Sequence, residues 1–172
     1  GGGIRKQIEA GDITLDDIYS VHPFGNTMCV IRVTGQQVLD ALEWGARAVP
    51  SENGGFLQVS GLTYEIHTGV ASSAEKDENG MFTRVSGEYR VKNVMVGGQP
   101  LELDKTYTLA SHNYMLLGHG DGYTMFDGCE VLGEDMMVDN QVLITYITTT
   151  LGGVVGEQYA NPYGDGRIVA VE

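Results

Sequence analysis

Cysteine, proline, positive charge and long apolar runs are all scarce in this chain, and each scarcity excludes something. Two cysteines, Cys29 and Cys129, stand 100 positions apart in 172 residues and match no metal-binding or redox spacing, so they read as two unreactive thiols. Four prolines against 25 glycines make the glycine excess a matter of tight turns, not of a disordered linker. Ten Lys and Arg face 23 Asp and Glu, a net charge of −13. That field repels polyphosphate and excludes a groove for a nucleic acid polymer. No apolar run approaches the ~20 residues that cross a bilayer, so this segment is not expected to insert into a membrane. No signal-like segment opens the chain. The opening Gly1-Gly2-Gly3-Ile4-Arg5 reads as the interior of something longer.

The tools of a self-sufficient hydrolase or transferase are missing as well. There is no P-loop, no G-x-S-x-G elbow and no H-E-x-x-H. His22, His67, His112 and His119 sit in four different segments and share no i,i+2 or i,i+4 register with one another. Each is read as a surface or satisfied core histidine. A two-metal centre needs several His and Asp ligands together, so no catalytic residue, metal ligand or cofactor is assigned to this chain.

What is present is an ordinary globular composition, 42% apolar and 19% charged, on a chain long enough to bury roughly 70% of its unfolded surface without staples. Thr14 to Ser20 reads as a short helix with Thr14 as N-cap and Asp17 closing a capping box. Met28–Val33 is a β-rich run, after which Thr34 caps a stronger helix carrying Val38 and Leu42 on one stripe. Val59 to Thr68 alternates like a strand. Ala71 to Gly80 is polar throughout and reads as a surface loop. Arg84 to Val96 reads as two strands or one bent one, turned by Gly97-Gly98 into Leu101-Glu102-Leu103. Tyr107–Ala110 is a strand ending at Asn113-Tyr114, Asp139 caps a last helix through Thr150, and Arg167–Val171 is a terminal strand. Runs of strands with about three separated helices indicate an α+β fold with mixed sheet, organised as a single domain over 1–172.

Four short segments place unusual side chains beside permissive glycines. Gly1–Arg5 offers bare backbone and a guanidinium suited to bidentate contacts. Pro23-Phe24-Gly25-Asn26 exposes a ring and an amide on a proline-fixed turn. Asn53-Gly54-Gly55-Phe56 is the third. In the fourth, Asn113-Tyr114 precedes Gly118-His119-Gly120-Asp121-Gly122-Tyr123, an aromatic at a strand end beside a carboxylate. These could be turns plus core aromatics and nothing more. Two rings from separate turns, with an Asp and an Arg, are also what a nucleoside pocket requires, because bases stack on aromatic faces and a carboxylate accepts from ribose hydroxyls.

These residues also carry a resemblance. GGGIR, EAGDIT, PFGN, the T-G-x-x-V-x-x-A-L helix, GGFLQVSGL, KTYTLA and NYxxxGxGDGYxMF occur in that order. Together they resemble the C-terminal, nucleotide-binding domain of the 5′-nucleotidase family: secreted nucleotidases, UDP-sugar hydrolases and 2′,3′-cyclic-nucleotide phosphodiesterases. The resemblance spans essentially the whole chain. It implies an N-terminal metallophosphoesterase domain of the same parent chain as partner. That domain, absent here with its Asp-x-His and Gly-Asn-His motifs, would hold two divalent metals whose bound water attacks phosphorus. This chain would grip the nucleotide or nucleoside and catalyse nothing alone.

Carried over by position, the resemblance makes Phe24 and Tyr114 the two stacking rings and Asn26 a polar contact to the base. Asp121 becomes the ribose acceptor, Arg5 a contact to the ribose-phosphate region, and Gly54 a backbone contact beside the base. Tyr114 stands where Phe is frequent, and the loop from ring to carboxylate is one residue longer than the shorter family form. The Asn that usually precedes the opening glycines would lie before residue 1. The family implies an extracellular, periplasmic or cell-wall location. The competing expectation is a non-catalytic surface module whose aromatics contact a sugar or a partner protein.

Overall fold

The computed structural model describes residues 2–161 and 164–172. Helix α1 (Leu15–Val21) starts as the sequence indicates: Thr14 Oγ1 accepts from the Asp17 N–H, and the Asp17 carboxylate accepts from the Thr14 N–H. Strand β1 (Met28–Thr34) runs directly into helix α2 (Gly35–Ala46), whose Thr34 and Gln37 form a second capping box. The remaining strands are β2 (Leu62–His67), β3 (Ala74–Lys76), β4 (Phe82–Val85), β5 (Val91–Val96), β6 (Gln99–Pro100), β7 (Thr106–His112), β8 (Glu130–Gly133) and β9 (Ile168–Val171). Two further helices are α3 (Asn113–Leu116) and α4 (Asp139–Thr145).

Three sheets result. One is antiparallel with order β7-β1-β8, one is mixed with order β6-β5-β2-β9, and β3-β4 is a separate ribbon. The β2–β9 pair is parallel, with Tyr64 opposite Ile168 and His67 opposite Val171. The fold class is the α+β arrangement expected. Helix α2 is its central element: Val38, Ala41, Leu42, Trp44 and Ala46 are buried against Ile31, Val33, Ile66 and Val91 in one continuous core. Fully burying a Val, Leu or Ile side chain contributes about 1.5–3 kcal/mol. Gly35 is required at the start of α2, because a Cβ there would lie 2.1 Å from the Glu102 carbonyl oxygen.

The core also takes in charge. Glu43 is fully buried on α2 and accepts from the Val91 N–H at 2.9 Å. Burial pushes its carboxyl pKa up, against the pull of the Val91 and Arg90 N–H groups and the Arg90 guanidinium. Arg90 donates to the Ala46 and Val49 carbonyls at 3.3 and 2.9 Å. These bonds tie the end of α2 to β5.

Several local expectations need correction. The polar stretch 71–80 is not loop throughout, since Ala74–Lys76 forms β3 against β4. The three residues of β3 are too short and too polar to show an alternation, and the ribbon reaches the core through Phe82 of β4, so β3 itself carries no strand signature. Its turn is made by Asp77 Oδ1, which accepts from the Asn79 and Met81 N–H groups. Asp139 is the first residue of α4, not its cap; Val138 holds the cap position without a side-chain bond. That helix is α-helical only to Thr145 and widens to π-helix over Tyr146–Thr150, where Thr148 Oγ1 donates back to the Ile144 carbonyl at 2.8 Å. The alternating stretch from Val59 becomes strand only at Leu62, after Gly61 turns the backbone at φ +77°. Leu101 and Glu102 lie outside the strands although the Leu101 N–H donates to the Val94 carbonyl at 2.9 Å, and Leu103 already belongs to a turn; α3 and β8 are elements the sequence does not predict. Both cysteines are free, Cys29 within the core.

Candidate functional site

All six side chains or backbone positions singled out above line one cavity of about 610 Å³: Arg5, Phe24, Asn26, Gly54, Tyr114 and Asp121. They come from four separate stretches of chain, so the fold, not local sequence, assembles them.

The first wall is the turn between α1 and β1. Gly25 sits at φ +65°, which lets the chain reverse and leaves Phe24 more than half exposed, at 58%. The opening segment crosses this wall. Arg5 donates its backbone N–H to the Val21 carbonyl at 3.0 Å and an Nη1 hydrogen to the Gly2 carbonyl at 3.0 Å. Its guanidinium carbon lies 5.8 Å from the centre of the Phe24 ring, within cation–π range.

The floor is the glycine pair at 54–55. The Gly2 N–H donates to the Gly54 carbonyl at 2.7 Å. Asn53 fixes the loop from both ends of its amide, donating to the Gly45 carbonyl at 3.1 Å and accepting from the Gly55 N–H at 3.1 Å. The buried Tyr123 hydroxyl donates to the Gly55 carbonyl at 2.5 Å, and burial pushes its pKa up. The floor is therefore nailed to α2 and to the core.

The second wall follows β7. Asn113 Oδ1 accepts from the Thr27 N–H at 3.1 Å and the Tyr114 N–H at 2.9 Å, and the Asn113 N–H donates to the Thr27 carbonyl at 2.8 Å. Tyr114, 49% exposed, stacks on His112 with centroids 6.0 Å apart and planes at 29°. Gly120 packs against the same ring, where a Cβ would fall 2.2 Å from the Tyr114 Cε1. Glycine is the only residue that leaves the ring where it is.

Asp121 closes the cavity. Its backbone is left-handed, φ +54° and ψ +17°, and its carbonyl accepts from the Trp44 indole N–H at 2.9 Å. A left-handed aspartate is uncommon, and the bond from a core tryptophan holds it there. The side chain packs over Gly55, where a Cβ would stand 3.0 Å from Asp121 Cβ. Its Oδ1 lies 3.4 Å from the Tyr114 hydroxyl. Phe24 and Tyr114 make no ring contact with each other among the described residues; they open onto the same space.

The cavity also includes Gly55, Phe56 and Tyr123, which lie in the segments singled out but carry no assigned role, and Leu57, His112 and Met115, which sequence reasoning does not point to as site residues. For His112 a signal existed, because it immediately precedes Asn113-Tyr114 at the end of a strand. Elsewhere, His67 is not without a carboxylate two residues away, as an isolated histidine would be: its Nε2 lies 3.0 Å from Glu65 Oε2 on the same strand. Among the described residues, no group of three or more His, Cys, Asp or Glu side chains is arranged to hold a metal ion. No helix of the described residues is long and apolar enough to cross a membrane.

Comparison with known proteins gives a consistent result. Residues 1–128 match the sequence profile described as 5′-nucleotidase, C-terminal domain. The trifunctional nucleotide phosphoesterase protein YfkN of Bacillus subtilis is 34% identical over 171 residues, 99% of this chain but 10% of that protein. The 5′-nucleotidase of Vibrio vulnificus is 32% identical over 146 residues, 85% of this chain and 22% of that one. A crystal structure of a 5′-nucleotidase precursor from Thermus thermophilus superposes with a TM-score of 0.77 at 31% identity, covering 99% of this chain and 30% of the other. The chain thus spans between a tenth and a third of the length of these relatives.

Proposed function

Because this chain belongs to the 5′-nucleotidase C-terminal domain family, we propose that it is the nucleoside-recognition part of a larger phosphohydrolase. The observation that carries the reading is the convergence of Arg5, Phe24, Asn26, Gly54, Tyr114 and Asp121 on one cavity. In this reading a base stacks between Phe24 and Tyr114, Asn26 meets its polar edge and Gly54 lends backbone beside it. Asp121 accepts from the ribose hydroxyls, and Arg5 lies toward the ribose-phosphate. The presence of an amide and a carboxylate in the same cavity favours a nucleoside over a plain sugar platform or a protein contact, which needs no base amide.

The catalytic share of the work falls outside this chain. Its described residues offer no donor set for the two divalent metals of a phosphoesterase, so these are assigned to an N-terminal metallophosphoesterase domain of the parent protein. The lengths of the relatives support such a partner. Removal of phosphate from a nucleotide would then need both parts. Export from the cytoplasm is part of the same proposal, supported by the Thermus relative being a precursor.

The net charge of −13 suits this division. The cavity would hold the neutral base and ribose, while metals elsewhere hold the phosphate. Base–aromatic stacking is worth about 1–3 kcal/mol per base. Two partly additive stacks, less the cost of association, put the dissociation constant for adenosine on the order of 1 mM. Titration of the protein with adenosine, followed by NMR or calorimetry, tests the reading; absence of binding rejects it.

A further inference from the structure

His112 lines the cavity with a polar side chain to which the reading above gives no task. It ends β7 opposite Met28, two residues from Asn26 along β1's leading turn, and Asn113 clasps Thr27 beside it. The strand pairing therefore brings the Asn26 and His112 segments to one side of the cavity, and both residues line it. Its ring lies beside that of Tyr114 as an offset pair, centroids 6.0 Å apart and planes at 29°, and both rings line the cavity, so it stands next to the ring on which a base would stack.

The two ring nitrogens differ. Among the described residues, Nδ1 is sealed from solvent and has no partner, which leaves Nε2 as the nitrogen open to the cavity. A buried N–H without an acceptor is rarer and costlier than a buried lone pair without a donor. The neutral ring has one proton to place, and burying it on Nδ1 would orphan a donor. Burial also lowers the imidazole pKa, outweighing the Asp139 and Asp121 carboxylates that act the other way, so the ring is neutral near pH 7.

We infer that His112 is a specificity-determining residue that presents an Nε2–H donor to the base and selects nucleosides with a carbonyl oxygen at that edge, 6-oxopurines over 6-aminopurines. The inference rests on the nucleoside reading of the cavity. A 6-oxo group accepts from Nε2–H; a 6-amino group sets donor against donor. Asn26 cannot make the same choice, because its amide presents either a donor or an acceptor by rotation.

The test uses the whole chain, with inosine and adenosine as probes. Wild-type protein should bind inosine about three- to tenfold more tightly, the worth of one net hydrogen bond. His112→Leu should bring the two affinities within about twofold of each other. Imidazole ¹⁵N spectra of the unliganded wild type should show the proton on Nε2, a readout that needs no variant to fold. A proton on Nδ1, equal wild-type affinities, or a ratio preserved in His112→Leu would overturn the inference. If Phe24→Ala still abolishes binding in those cases, the nucleoside reading stands alone. If the wild type binds neither nucleoside, both fall together.

Discussion

Asn113 and Thr27 hold each other twice, through the Asn113 Oδ1 that accepts from the Thr27 N–H at 3.1 Å and the Asn113 N–H that donates to the Thr27 carbonyl at 2.8 Å. Residues 86 positions apart are thereby locked together at the point where one turn carries Phe24 and the other carries Tyr114. The two walls of the cavity are a single hydrogen-bonded unit.

Asn113→Ala removes the acceptor for two backbone donors, Thr27 N–H and Tyr114 N–H. The expected loss of stability is about 1–3 kcal/mol, read from chemical denaturation. Nucleoside binding should weaken as well, although Asn113 does not line the cavity. Asn113→Asp keeps the Oδ1 acceptor and should recover most of both losses. Equal damage from the two substitutions would show that the acceptor is not what matters.

Gly120→Ala tests the seating of Tyr114. Its Cβ would fall 2.2 Å from the ring, so the ring must leave its stack on His112 or the loop must shift. Nucleoside affinity should drop by at least about fivefold, since one stack is worth about 1–3 kcal/mol. A ring-current shift of the His112 protons would accompany the change. Affinity equal to wild type in Gly120→Ala would mean that Tyr114 is not a stacking wall.

Glu43 makes the fold sensitive to pH in a definite direction. Burial raises its pKa above the ordinary 4.5, so the native state binds the proton more tightly than the unfolded state. Its contribution is fully present below pH 4.5 and is lost as pH rises through the native-state pKa. The slope for one such proton is at most about 1.4 kcal/mol per pH unit. Glu43→Gln should flatten the stability profile in that window. A profile unchanged by the substitution would place the titrating group elsewhere.

Much of this architecture was legible in the sequence because its signals are local. Thr14 with Asp17, and Thr34 with Gln37, announce their helices by spacing alone, and both capping boxes are formed. The six cavity residues lie on glycine-flanked segments that stand out in the sequence, but their selection and roles come from the family resemblance of the ordered motifs and not from composition. What escaped was everything set by partners distant in sequence. Strand β3 exists because β4 pairs with it, β8 because β1 has a free edge, and His112 joins the cavity only through the register that sets it opposite Met28. The left-handed Asp121 depends on an indole 77 positions away, which no motif could disclose.

The division of labour between this chain and a second domain also makes a prediction. Incubated with AMP and Mn²⁺ or Zn²⁺, the chain should release no phosphate above background, measured by a colorimetric phosphate assay. Clear turnover would reveal a metal centre within the chain itself.

The central claim, that Phe24 and Tyr114 grip a base, is tested most directly by titrating adenosine into the wild type, Phe24→Ala and Tyr114→Ala while following backbone amide shifts. The account predicts saturable binding by the wild type with a dissociation constant on the order of 1 mM, shifts centred on residues 24–26, 54–55 and 112–121, and loss of binding in both variants with their folds intact. Unchanged affinity in both variants would contradict it.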